Sequence, residues 1–272
     1  ITDERADALA DLSAKGFLKH ISVSVDGPKD LHDAARGLNG TFERTTQGLK
    51  RLQAAAKKKG APLRVGINTT VAHESLETLD QMVDVAEELG VDAIGLNHLM
   101  FSTPEEVAET VRLLGTGDAS TIATFVTADP GLDIARVREK VTALEQKCRE
   151  KNIRFDFRPK VRPQLIENYY TPGAKLEGRC LYPFLNARVS FSGKVYFCPF
   201  IRVEVGDLTK SSLEEVWNSE RYVDMRRRLS ENGLFPVCRR CCKVELSPEP
   251  VADPFPAGEA RPRRAIPLTV VR

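Results

Sequence analysis

The apolar positions of the first hundred residues change period in a regular way. Residues 3 to 15 place Ala6, Leu9, Ala10 and Leu12 at helical spacing, and Gly16 stands where such a helix would stop. In FLKHISVSVDGP, residues 17 to 28, the period falls to two. Ile21, Val23 and Val25 take one face of a strand, Ser22, Ser24 and Asp26 take the other, and Gly27-Pro28 ends it. A helix is predicted from about Thr41 to Lys59, with Phe42, Leu49 and Leu52 on its apolar side and Gly60, Ala61 and Pro62 closing it. The pattern then repeats as a strand at residues 63–71, a helix from about Ser75 to Leu89, and a strand at residues 91–100.

Helix and strand alternating through short connections imply right-handed crossovers and a parallel sheet or barrel sector, whose sites lie at the C-terminal ends of the strands. Those ends are polar in this chain: Ser22, Ser24 and Asp26 on the first strand, Asn68 and Thr70 on the second, Asn97 and His98 on the third. A helix near residues 104–114 precedes GTGDASTIATFVTADPG, which reads as an irregular insertion or a loop over a site mouth. An amphipathic helix at residues 133–151 and a short strand, IRFDFRP, follow. From Gly178 the alternation stops, a hairpin pattern appears, and cysteine enters. The expected division is an α/β domain over residues 1–165, a small α+β domain over residues 166–245, and a Pro/Arg-rich tail over residues 246–272.

Composition narrows the partners. The chain has 272 residues, 42% hydrophobic and 29% charged, enough to bury a sizeable core. Lys and Arg number 40 against 38 Asp and Glu, which gives no reason to expect a nucleic acid or an anionic membrane. The basic run Arg261, Arg263 and Arg264 reads as a solvated end. No apolar run approaches the roughly 18 to 20 residues that cross a bilayer, and the acidic start is unlike a secretion signal, so a cytoplasmic location is expected. Thr2, Asp3 and Glu4 read as the first turn of a helix whose preceding element is missing, so the sequence reads as a fragment.

Five of the six cysteines fall in the last third of the chain, and Cys148 stands apart in a helix. In RVSFSGKVYFC, residues 188–198, two short strands flank the turn Ser192-Gly193, so the hairpin returns Cys198 towards Cys180. A helix from about Ser212 to Leu229 leads to Cys238-Arg239-Arg240-Cys241, a turn that directs two thiolates at one centre. Disulfides do not suit a chain without a secretion signal. The set Cys180, Cys198, Cys238 and Cys241 suits zinc or an iron-sulfur cluster, and spacing alone does not choose between them. Cys242 is left out because its adjacency to Cys241 makes joint ligation awkward.

Two separated stretches resemble the radical S-adenosylmethionine superfamily, in particular members with a SPASM or shortened twitch auxiliary-cluster domain. Residues 21–52, ISVSVDGPKDLHDAARGLNGTFERTTQGLKRL, are similar to the fourth strand and following helix of that family's partial (β/α)6 barrel. Cys180, twelve residues, Gly193, four residues and Cys198 match the opening of the auxiliary-cluster pattern, and GDLTKSSLEEVWNSERY, residues 206–222, resembles its intervening helix. The resemblance implies the C-terminal part of the barrel followed by a twitch domain with one auxiliary [4Fe-4S] cluster. It also implies S-adenosylmethionine and a second [4Fe-4S] cluster in the intact protein. That second cluster's Cys-x-x-x-Cys-x-x-Cys motif is absent from this sequence, so the chain alone is expected not to generate a radical. By the same resemblance, Ser22, Ser24 and Asp26 line the S-adenosylmethionine pocket, Ser24 foremost, and Asn68 and Asn97 bind cofactor or substrate. The implied chemistry is hydrogen abstraction from a small molecule or peptide by a deoxyadenosyl radical, with a ferredoxin or flavodoxin as reductant. The alternative class is a non-catalytic scaffold or electron-transfer module.

Overall fold

The computed structural model describes residues 1–247, and the predicted tail lies outside the described residues from position 248 on. The chain forms two compact units. The first comprises Ile1–Leu99 and Pro130–Arg158; the second comprises Met100–Asp129 and the chain from Pro159.

The first unit opens with α1 (Asp3–Ala14), β1 (His20–Ser24), α2 (Lys29–Arg36), α3 (Thr41–Lys58) and β2 (Arg64–Thr70). A 3-10 turn (Leu76–Gln81), α4 (Met82–Glu88) and β3 (Ala93–Asn97) follow. The chain then leaves for the second unit, in which it forms β4 (Phe101–Ser102), α5 (Pro104–Leu114) and β5 (Phe125–Val126). It returns as α6 (Ile134–Glu150) and β6 (Arg154–Arg158). The strands form one parallel sheet in the order β1-β2-β3-β6, the α/β architecture that the alternation predicts.

Register separates two faces of this sheet. Val25, Val65, Ile67, Ile94 and Leu96 are buried on the helix side, where Leu49, Leu52, Ala55 and Ala56 of α3 add to the core. The opposite face is small and polar. Ser24 pairs with Asn68, Asn68 with Gly95, and Gly95 with Asp156, so these four form one row across the strands. Gly95 leaves room for its neighbour: a Cβ there would sit 2.5 Å from Asn68 Oδ1.

Three predicted elements come out differently. The predicted helix at residues 75–89 divides into the 3-10 turn and α4. The stretch between β1 and α3, to which the sequence pattern assigns no element, forms α2; Pro28 precedes it and Gly37, in the left-handed region at φ 62°, ends it. Residues 100–129, assigned to the barrel domain by sequence, cluster with the C-terminal unit.

The second unit continues with α7 (Ile166–Tyr170), β7 (Glu177–Arg179), α8 (Tyr182–Leu185), β8 (Arg188–Val189), β9 (Lys194–Tyr196) and β10 (Glu204–Asp207). It closes with α9 (Leu213–Trp217), α10 (Glu220–Asn232), a 3-10 turn (Pro236–Cys238) and β11 (Glu245–Ser247). The antiparallel sheet β10-β9-β8 contains the predicted hairpin, with Gly193 at φ 82° in its turn. The single helix predicted over residues 212–229 is broken, because the Ser219 hydroxyl accepts the Tyr222 N–H and caps a new helix. Val195, Phe197, Ile201, Val205, Val216, Tyr222 and Leu229 form the core, against which Cys180, Cys198 and Cys238 pack. Among the described residues no helix is long and apolar enough to cross a membrane.

Candidate functional site

Three local structures deliver the cysteines. β7 and β11 pair antiparallel with Arg179 opposite Glu245, and the Arg179 Nε donates to Glu245 Oε2 at 2.7 Å. This pairing brings the residue after β7, Cys180, beside the chain that follows Cys242. Gly178 permits the approach, since a Cβ there would meet the Glu245 carbonyl oxygen at 2.5 Å. Cys198 opens the turn between β9 and β10, where its N–H donates to Ile201 O at 3.2 Å and its Sγ accepts the Ile201 N–H at 3.1 Å. Cys238 and Cys241 occupy one turn closed by Cys241 N–H to Cys238 O at 3.1 Å, and the Lys243 N–H approaches Cys241 Sγ at 3.5 Å.

The thiols are half-buried, Cys241 fully, and share one electrostatic neighbourhood. Burial pushes Cys180 up to about 11, with further upward contributions from Cys198 and Cys242. Burial also raises Cys198. Cys238 is raised by burial and then by Cys198 and Cys180. Cys241 is raised by its hydrogen bond with the Cys242 side chain, then by burial and Cys238. Thiols so placed stay protonated unless a cation replaces their protons, and cationic iron does this by binding sulfur directly. Backbone N–H groups aimed at Cys198 and Cys241 stabilise the thiolate form. A group of thiols of this kind suits a thiolate-bound zinc or an iron-sulfur cluster. Among the described residues no three His, Cys, Asp or Glu side chains converge on the position of a single metal ion. Cys148 is fully buried on α6 in the first unit, outside this group.

Sequence reasoning missed three residues here, Arg240, Glu106 and Tyr169, which hold the frame of the cysteine turn, while Cys242, set aside from the ligand set, lies beside Cys241 and near Cys180. Arg240 is 1% exposed and Glu106 is 5% exposed, and the Arg240 Nη1 donates to both Glu106 carboxylate oxygens, at 2.9 and 3.2 Å. The Tyr169 hydroxyl donates to Arg240 O at 2.8 Å. A buried arginine between two cysteines was a usable signal, since arginine is fully buried only when its charge is partnered.

The polar sheet face carries the other predicted residues. Ser22 and Ser24 are exposed, and Asn68 and Asn97 are half-buried. Asn97 Nδ2 donates to Thr69 O at 3.4 Å, whereas the Asn68 amide lies over Gly95. Asp26 is engaged within its own unit: Arg36 Nε lies 2.7 Å from its carboxylate and His32 Nδ1 lies 3.1 Å from it. The imidazole also accepts the Asp26 N–H, at 3.1 Å. Asp26 thus fastens the β1 exit to α2, with Arg36 of that helix as one of its partners.

His98 ends β3 stacked on Phe157, with ring centroids 3.7 Å apart, and burial drives its imidazole down to about 3. The unfolded chain, with the ordinary value of 6.5, takes up a proton that the folded form refuses between those limits. The resulting stabilisation is complete above pH 6.5 and is lost as pH falls towards 3, at up to about 1.4 kcal/mol per pH unit. His98→Phe is expected to flatten the acid limb of stability against pH, measured by urea unfolding from pH 7 to 4. Equal slopes for the two proteins would refute this role.

Two layers thus define the class, an α/β unit with a polar strand-end face and a thiol-rich unit whose donors suit zinc or an iron-sulfur cluster. Comparison with known proteins agrees. Residues 180–242 match the SPASM family, an iron-sulfur cluster-binding domain bounded here by Cys180 and Cys242. The chain is 29% identical over 228 residues to an AdoMet-dependent heme synthase of Methanosarcina barkeri, covering 81% of this chain and 60% of that protein. It is 26% identical over 102 residues to a pre-heme d1 synthase of Dinoroseobacter shibae, covering 38% of this chain and 23% of that one. The solved structure of Streptococcus suis SuiB aligns with a TM-score of 0.47 and 12% identity, over 86% of this chain and 52% of that one. The chain spans 60% or less of the length of each of these proteins. These matches support a radical S-adenosylmethionine protein whose residues 180–242 resemble a SPASM domain.

Proposed function

We propose that this chain supplies later βα units and the auxiliary-cluster domain of a radical S-adenosylmethionine enzyme, and that Cys180, Cys198, Cys238 and Cys241 hold one [4Fe-4S] cluster. The observation that carries the reading is the match of residues 180–242 to a cluster-binding domain over cysteines that influence one another's protonation. In the intact enzyme, S-adenosylmethionine with its own cluster would supply the hydrogen-abstracting radical, and the auxiliary cluster an electron path or a Lewis-acidic iron. The chain's own residues bind and orient. Ser22 and Ser24 offer exposed hydroxyls to the polar groups of S-adenosylmethionine, and Asn68 and Asn97 offer amides on the same face. Asp26, clamped by Arg36 and His32, holds the exit of β1 so that Ser24 keeps its place.

For the substrate, the names of the two sequence relatives favour a carboxylated tetrapyrrole over a peptide. A cleft of about 620 Å³ in the second unit is lined by Arg202 and Arg221, which could meet an anionic group; Arg228 is taken up by Asp224, Glu204 pairs with Lys194, and Asp118 accepts from Ser120. A ferredoxin or flavodoxin is the proposed reductant.

Anaerobic reconstitution with iron and sulfide tests the site. The expected product is a brown protein with about four iron and four sulfide per chain and a paramagnetic signal on reduction. A colourless protein holding one tightly bound zinc would overturn the cluster and favour the scaffold reading. Iron coproporphyrin III titrated into the reconstituted protein tests the substrate class. Saturable change in its visible spectrum, weakened by Arg202→Ala and Arg221→Ala together, is the expected result, and an unchanged spectrum would exclude it.

A further inference from the structure

Arg240 lies inside the Cys-x-x-Cys turn, yet its guanidinium is directed into the protein interior. It donates to the carbonyls of Tyr169 at 2.7 Å, Thr171 at 2.6 Å and Ala174 at 3.2 Å, as well as to the Glu106 carboxylate. Its Cζ sits 4.7 Å from the centroid of the Phe101 ring. One side chain therefore ties together α5, the segment after α7 and the cysteine turn.

The other contacts around it point the same way. Glu106 is itself fixed, since its Oε2 accepts the Thr103 N–H at 3.0 Å in the capping box of α5. Thr110, one turn further along α5, accepts the Val237 N–H at 3.2 Å, immediately before Cys238. The Tyr169 hydroxyl returns to the Arg240 carbonyl at 2.8 Å, immediately before Cys241. Both cysteines thus follow a backbone group that a buried side chain from another segment holds in place. Lysine would not reproduce the arrangement, because its single ammonium cannot span a carboxylate and three carbonyls in one plane.

We infer that the buried Arg240–Glu106 pair is the positioning device for Cys238 and Cys241 and that its charge balance tunes the cluster these residues hold. The tuning clause rests on the proposed cluster; the positioning clause does not. The device acts through the backbone, and neither side chain is a ligand. Its electrostatic consequence has a definite sign. Reduction adds negative charge to a cluster, so buried positive charge nearby favours the reduced state; Glu106 offsets the charge of Arg240, its closer partner, and faces Arg239 at 3.7 Å, so removing the carboxylate's charge leaves more positive charge beside the cysteines.

Two variants and two measurements separate the clauses. In iron-free protein, the alkylation rates of individual cysteines are followed by peptide mapping. Arg240→Lys is expected to raise modification of Cys238 and Cys241 by about tenfold, the equilibrium equivalent of losing one buried hydrogen bond, with Cys148 unchanged. In the reconstituted protein, Glu106→Gln keeps an oxygen to cap Thr103 and removes the negative charge, so the midpoint potential of the cluster is expected to move upward while iron content stays at the wild-type level. Unchanged alkylation in Arg240→Lys would overturn the positioning role, and an unchanged potential at full iron loading in Glu106→Gln would overturn the tuning. If the wild type takes up no iron, the cluster reading and the tuning clause fail together, and the alkylation result still decides the positioning role. Should Arg240→Lys not fold, Tyr169→Phe, which removes only the bond to the Arg240 carbonyl, serves in the same assay with Cys241 as the site expected to respond.

Discussion

Replacing Cys180, Cys198, Cys238 or Cys241 singly by Ser is expected to abolish stable loading of the auxiliary cluster, while Cys148→Ser loads like the wild type. Serine is nearly isosteric, but its hydroxyl is a far poorer donor to iron than a thiolate. Iron and sulfide analysis after anaerobic reconstitution and gel filtration reads the result directly. Cys148, alone on α6 and raised to about 11 by burial, provides the control for thiol loss without ligand loss. Full loading of any one of the four Ser variants would remove that residue from the ligand set and bring Cys242 in as its replacement, because Cys242 lies in the same group.

Arg240→Ala is expected to destabilise the second unit by about 3–5 kcal/mol, the usual cost of leaving one charge of a buried pair unpartnered. Glu106 would remain, 5% exposed, with its principal cation gone, and the carbonyls of Tyr169, Thr171 and Ala174 would lose their donor. Trp217, the one tryptophan in the sequence, lies in this unit and reports its unfolding by fluorescence in urea. The double variant Glu106→Ala/Arg240→Ala should be markedly more stable than the sum of the single losses predicts, since the second change removes the orphaned charge. Simple additivity would mean that the two groups do not act as a pair.

The sequence and the structure agree where short-range physics decides. The alternation around Ile21, Val23 and Val25 and the repeat of helix and strand announced the parallel sheet, because a period of two or 3.6 residues is a local property. Gly193 marked its hairpin because a residue at φ 82° favours glycine. The turns that carry the cysteines were legible, the hairpin before Cys198 and the turn from Cys238 to Cys241, because both are set by neighbouring residues. Illegible features were those decided by distant partners. Nothing local shows that residues 100–129 join the C-terminal unit, that Arg36 reaches back to Asp26, or that Arg240 finds a carboxylate 134 positions earlier. α2 escaped notice because its buried residues are His32 and Asp33, which no hydrophobic periodicity marks.

The excursion of residues 100–129 also orders events in time. A ribosome delivers α5, with Glu106 and Thr110, long before it delivers Val237, Cys238 and Arg240, and in the interval the chain makes α6 and β6 of the other unit. The first unit therefore has its whole sequence in hand while the second still waits for its closing turn. The proposed cluster would have no finished receptacle until Cys241 has emerged, and α5 depends for its buried partner on a residue delivered more than 130 positions later.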